Sequence, residues 1–220
     1  MPGTDPPMTT PIVTILTGDI VASSRLGSGE LDKVMVALAA ASEQMWGWNT
    51  SAQHPAFERF RGDGWQMAIP KPALALRAAL FVRANLRSLG RARDSRISIG
   101  IGPGKIAPNA PLASASGPAF DLSGRNLDSM ERSARFTIGW ADPHPAESAW
   151  KAVFALADEI SGRWTVRQAE VFLRMLPPGS GTQGAAADAL GISQQMVAKH
   201  LAAGGDWALR QAIEAMETPE

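Results

Sequence analysis

The sequence predicts an α+β protein: a ferredoxin-like βαββαβ unit followed by a small all-α unit built around a helix-turn-helix. Three observations carry that expectation. Over roughly the first hundred residues the apolar period switches between two and 3.6, which separates strands from helices. The triplet Gly62-Asp63-Gly64 divides two short apolar runs. Far along the chain, two short helical patterns flank the turn Gly191-Ile192-Ser193.

The elements follow in order. Residues 12–16 (IVTIL) are a β-branched run with the character of a central strand. Apolar Leu31, Val34, Met35, Leu38 and Met45 fall at helical spacing, with Ser28 as the expected N-cap. Residues 57–61 and 65–69 read as a hairpin closed by the Gly-Asp-Gly triplet. Pro72 opens a second helix carrying Leu74, Leu76, Ala79, Leu80, Val82 and Leu86, since proline suits a first turn. Residues 96–101 (RISIGI) alternate as a strand does. The β-α-β-β-α-β order implies a four-stranded antiparallel sheet with two helices on one face. A Pro/Ala/Ser-rich loop (102–116), a short helix (122–131), a strand (136–138) and a helix (146–160) extend it.

Ser161-Gly162 marks the expected boundary, giving a leader at 1–11, a first domain at 12–160 and a second at 161–220. The second reads as all helix. Thr165 and Gln168 form a capping box. Thr182, Ser193 and Asp206 each precede a further helical pattern as its expected cap, and Leu209, Ile213 and Met216 form an inner face.

Composition bounds the function. The 220 residues carry no net charge, so any nucleic-acid binding must come from a local surface. There is no cysteine, which excludes disulfides and thiolate chemistry. No apolar run reaches the length of a membrane span, and the Pro-rich leader lacks the regions of a signal peptide. A cytoplasmic location is expected.

Two constellations carry chemistry. In the βαββαβ topology the end of the first strand lies beside the start of the third. Asp19 and Asp63 are thereby brought together, and two close carboxylates attract a hard divalent cation. Gly18, Gly62 and Gly64 leave room for a phosphate chain, and the loop from Ile20 and Val21 to Arg25 offers main-chain N–H groups and a guanidinium. Each aspartate alone has a plainer reading, as a turn or loop residue.

These residues resemble the class III nucleotidyl cyclase fold. The matching motifs are Asp19-Ile20, Gly62-Asp63, Arg96-Ile-Ser-Ile-Gly-Ile-Gly and Gly117-Pro-Ala-Phe-Asp-Leu-Ser-Gly-Arg125. The similarity covers residues 12–140 or so and extends to SatD-like proteins, which join such a domain to a helix-turn-helix. The resemblance implies Mg²⁺ or Mn²⁺ held by Asp19, the Ile20 carbonyl and Asp63. It implies a nucleoside triphosphate or cyclic nucleotide as ligand, contacted by Ile20, Val21, Arg25, Arg59 and Gly62. It implies Arg125 as the group that stabilises phosphoryl charge, and a homodimer that shares its sites. Two positions depart from the family: Asp121 stands where it has asparagine, and Arg59 where it has the base-selecting lysine.

The second constellation is residues 182–201. Ala187 is small where two helices cross, Gly191 suits a left-handed turn, and Ile192, Val197 and Leu201 face inward. That leaves Ser193, Gln194, Gln195, Lys199 and His200 on the outer face of an expected recognition helix that would read DNA. Charge argues the other way: from Ser161 onward, five Lys/Arg face six Asp/Glu. A protein-protein module is the alternative use.

Other residues are read as structural. The three histidines are too scattered to form a metal cluster. Trp46, Trp65, Trp150, Trp164 and Trp207 are assigned to the core, and Arg83, Arg87, Arg91, Arg93 and Arg96 to a solvated face. Two functions remain open: a DNA-binding regulator whose first domain senses nucleotide or dimerises, and an active nucleotidyl cyclase governed by its tail.

Overall fold

The computed structural model describes residues 10–48, 57–60, 62–69, 71–107 and 110–218. Most of the expected leader, His54 and the expected strand end Arg61 lie outside these residues. Five strands form one sheet: β1 (Ile12–Ile20), β2 (Phe57–Phe60), β3 (Gly64–Ile69), β4 (Ser95–Pro103) and β5 (Phe136–Trp140), in the order β2-β3-β1-β4-β5. The central β1 runs antiparallel to β3 and β4, and β5 joins the β4 edge in parallel. The first four strands take the order of a βαββαβ unit. The described residues also form eight α-helices: α1 (Ser28–Trp46), α2 (Ala75–Ser88), α3 (Pro118–Asp128), α4 (Glu147–Ser161), α5 (Val166–Met175), α6 (Gln183–Leu190), α7 (Gln194–Ala203) and α8 (Asp206–Glu217).

β1 is buried on both faces, which is why its apolar run does not alternate. Leu16 and Ile20 join the main core with Leu38 of α1 and Leu76 of α2. Ile15 points the other way, into a smaller cluster with Ala68, Leu112 and Ala119 of α3. Gly100 lets α3 approach the sheet: a Cβ there would lie 2.3 Å from the Ala119 carbonyl oxygen. Beside it, Ser123 Oγ and Thr17 Oγ1 share a hydrogen bond of 2.8 Å.

The tail packs on the same core. Phe172, Leu176, Val197, Leu201, Leu209 and Ile213 belong to the main apolar cluster. Trp164 stacks on Phe172 at 4.1 Å, and its Nε1 donates to the Gly204 carbonyl at 2.8 Å. Arg77 of α2 forks Glu217 of α8, at 2.5 Å from Nε and 2.7 Å from Nη2, and also donates to the Leu176 carbonyl. No helix among the described residues is long and apolar enough to cross a membrane.

Several expectations are corrected. β1 continues to Ile20 because residues 14–19 pair with β3 and residues 12–20 with β4, so Asp19 lies inside the strand rather than after it. The cap of α1 is Gly27, with Ser28 its first residue, and the cap of α8 is Gly205. Asp206 instead pairs with Arg210 one turn on, at 2.8 Å. A 3-10 turn, Pro72–Leu74, precedes α2. Arg83 is fully buried, not solvated, and Trp207 is 79% exposed, not core.

Candidate functional site

Asp19 and Asp63 line one open cleft of about 270 Å³, together with Ile20, Val21, Ala22, Arg96, Arg132 and Arg135. The backbone sets the pair. Asp19 lies opposite Gly64 in the β1–β3 register, and the Ile20 N–H donates to the Asp63 carbonyl at 3.2 Å. From below, Trp65 Nε1 donates to Ser95 Oγ at 2.9 Å, and Ser95 Oγ donates to the Asp19 carbonyl at 2.6 Å. Ala22, at the cleft edge, has φ 54 and is the one non-glycine with positive φ among the described residues. Left-handed backbone at alanine costs about 1–2 kcal/mol.

Both carboxylates already have partners. Arg96 is the cross-strand neighbour of Asp19 on β4. Its Nε donates to Asp19 Oδ1 at 2.8 Å and its Nη2 to Oδ2, a two-pronged contact that fits a planar carboxylate. Hydrogen bonding to Asp19, outweighing partial burial, raises the Arg96 guanidinium above its ordinary pKa. Asp63 Oδ2 accepts from Ser23 Oγ. No group of three or more His, Cys, Asp or Glu that could hold a metal occurs among the described residues. Three guanidinium groups line the cleft against two carboxylates. In this arrangement the donors do not fit a resident pair of divalent cations.

The other expected nucleotide contacts are dispersed. Ile20 and Val21 line the cleft, and Gly62 turns the β2–β3 hairpin at φ 80. Arg25, itself exposed, ends the 3-10 turn Ser23–Arg25 and lies outside the lining. Arg59 is pinned away from it, donating to the Gly62 carbonyl and to Asp32 of α1, each at 2.7 Å. Asp121 and Arg125 are exposed on α3 and line no part of the cleft. Sequence reasoning did not assign Arg96, Arg132, Arg135 or Ser23 to this site. The signal for Arg96 was its place at the start of a strand antiparallel to β1.

At the second candidate site α6 and α7 meet at a three-residue turn. Gly191 is left-handed (φ 63), and the Ile192 N–H reaches back to the Ala187 carbonyl at 3.1 Å, a helix stop that favours glycine. Ser193 Oγ caps α7 by accepting from the Met196 N–H at 3.2 Å. Val197 and Leu201 are buried under α7, whereas Ser193, Gln194, Gln195 and Lys199 are exposed and His200 is half-buried.

No family model matches the chain. No curated protein matches it. Among solved structures it is similar to the guanylyl cyclase Cya2, with a TM-score of 0.37 and 18% identity, over 56% of this chain and 73% of that one. At that TM-score the likeness assigns neither chemistry nor a site to the chain.

Proposed function

We propose that the chain is a DNA-reading regulator. α7 reads the major groove, and the α+β unit, through ligand binding at its charged cleft or through dimerisation, sets when it does so. The observation that carries this reading is the split of α7. Its apolar residues Val197 and Leu201 are buried, while two glutamines, a lysine and the capping serine are exposed, together with Met196. Glutamine can pair with an adenine edge, and lysine with phosphate or guanine. The near-neutral tail fits a homodimer that reads two half-sites better than a monomer that reads one.

The test is selection from random duplex DNA at low salt, with and without nucleotide, using the full chain. A recovered site should lose about 1–3 kcal/mol of discrimination at one base pair in Gln195→Ala. Lys199→Ala should weaken all sequences alike and flatten the salt dependence by about one phosphate contact. Failure to enrich any duplex removes the reading.

One observation favours the second reading, a nucleotidyl cyclase: Asp19 and Asp63 share a cleft. That reading requires Arg96 to leave Asp19, and a second copy to bring Asp121 and Arg125 to it. Cyclic nucleotide made from a triphosphate with Mg²⁺ or Mn²⁺, and lost in Asp63→Ala, would establish it. No turnover of the common triphosphates would remove it.

A further inference from the structure

We propose that Arg96 is the resident cation of the Asp19/Asp63 cleft, and that the cleft takes a phosphate-type anion on Arg132 and Arg135 without a divalent metal. This rests on the cleft being a ligand site and not on DNA reading by α7, so either can fail alone.

The first support is the seating of Arg96. Its guanidinium engages both oxygens of Asp19, and the cross-strand register holds the two residues opposite each other. Its Nη1 also reaches the Leu127 carbonyl of α3 at 3.5 Å, so the side chain spans from sheet to helix. A divalent cation on Asp19 would have to displace a charge-assisted fork and then sit beside the guanidinium it displaced.

The second support is the balance of charge. Asp19 answers Arg96, and Asp63 accepts from Ser23. Asp128 also adds to the negative field on Arg96. Arg132 and Arg135 remain. Among the described residues neither is ion-paired with a carboxylate, although Arg135 Nη1 donates to the carbonyls of Arg132 and Ala134. Most other arginines are ion-paired: Arg59, Arg77, Arg83, Arg87, Arg93, Arg96, Arg163, Arg167 and Arg210 all have carboxylate partners. Two unpaired guanidiniums at one cleft present planar donor forks, which match phosphate oxygens.

The experiment uses the full-length protein with Mn²⁺ and tripolyphosphate as separate probes. Calorimetry in EDTA should show tripolyphosphate binding, weakened on the order of tenfold in Arg132→Ala and in Arg135→Ala. Electron paramagnetic resonance should show no saturable Mn²⁺ site in the unmodified chain. Arg96→Gln should create one, and adding Asp19→Asn should abolish it. The proposal is overturned by a saturable Mn²⁺ site in the unmodified chain that Asp19→Asn removes. It is equally overturned by tripolyphosphate binding that is absent or needs Mn²⁺, or by a folded Arg96→Gln protein that gains no Mn²⁺ site. If Arg96→Gln does not fold, as judged by its melting curve, the two titrations of the unmodified chain decide.

Discussion

A guanidinium with no exposure to water must have its charge met inside the protein. Arg83 is such a group. Its Nε lies 3.2 Å from Asp94 Oδ1 and its Nη1 2.8 Å from Asp158 Oδ1, with Ser161 Oγ at 2.8 Å from Nη1. Its plane sits 4.0 Å over the Phe136 ring. Both carboxylates have further work: Asp94 accepts from Arg87 and from the Ser95 N–H, and Asp158 from the Arg135 N–H. Removing the arginine leaves two acids short of a partner, so Arg83→Ala should cost about 3–5 kcal/mol. Urea denaturation should show a lower midpoint at unchanged slope, and a loss under about 1 kcal/mol would refute a structural role for the network. Neither Arg83 nor the Arg96–Asp19 fork was legible as a buried or cross-strand contact. An arginine in a helical pattern reads as solvated because charged residues are seldom buried. Its partners come from the residue just before β4 and from a helix 75 residues further along.

Several features with a local cause are legible in the sequence, although the caps expected at Ser28 and Asp206 fall one residue earlier, at Gly27 and Gly205. The capping box at Thr165 and Gln168, the caps Thr182 and Ser193, and the left-handed Gly191 each depend on residues within one turn. The end of β1 depends instead on two neighbouring strands, and polar Thr17 and Asp19 disguised it. Thr17 is satisfied by Ser123 and Gln66, and Asp19 by Arg96, so the ladder continues through both. The seat of α3 has the same non-local origin. Gly100 permits an approach that any side chain would block with the backbone of Ala119 at 2.3 Å and Ser123 N at 2.9 Å. Backbone cannot swing aside as a side chain can. Gly100→Ala should therefore displace α3 and cost about 1–3 kcal/mol, with faster amide exchange in α3 as the local readout. Unchanged exchange there would contradict the close packing.

At the scale of the whole molecule, what matters is whether α7 is tethered or built in. The expected boundary at residue 161 falls where the chain turns, yet side chains cross it in several places. Arg83 Nη1 donates to Ser161 Oγ at 2.8 Å and Arg87 Nη2 to the Gly162 carbonyl at 3.0 Å, and the core runs unbroken from Leu76 to Ile213. Arg77 adds a polar lock from α2 to both Glu217 and the end of α5. Its side chain is 15% exposed, so the fork is shielded and stronger than a surface pair. The two parts should accordingly melt together, with far-ultraviolet circular dichroism and tryptophan fluorescence giving one coincident transition. Arg77→Ala should lower stability by about 1–3 kcal/mol and speed amide exchange in α8 and at the end of α5 more than in β1. If the first part sets the spacing of paired α7 helices, the same variant should weaken binding to a two-half-site duplex more than to a single half-site. Equal losses on the two duplexes would mean that α7 reads DNA independently of the unit it is packed against.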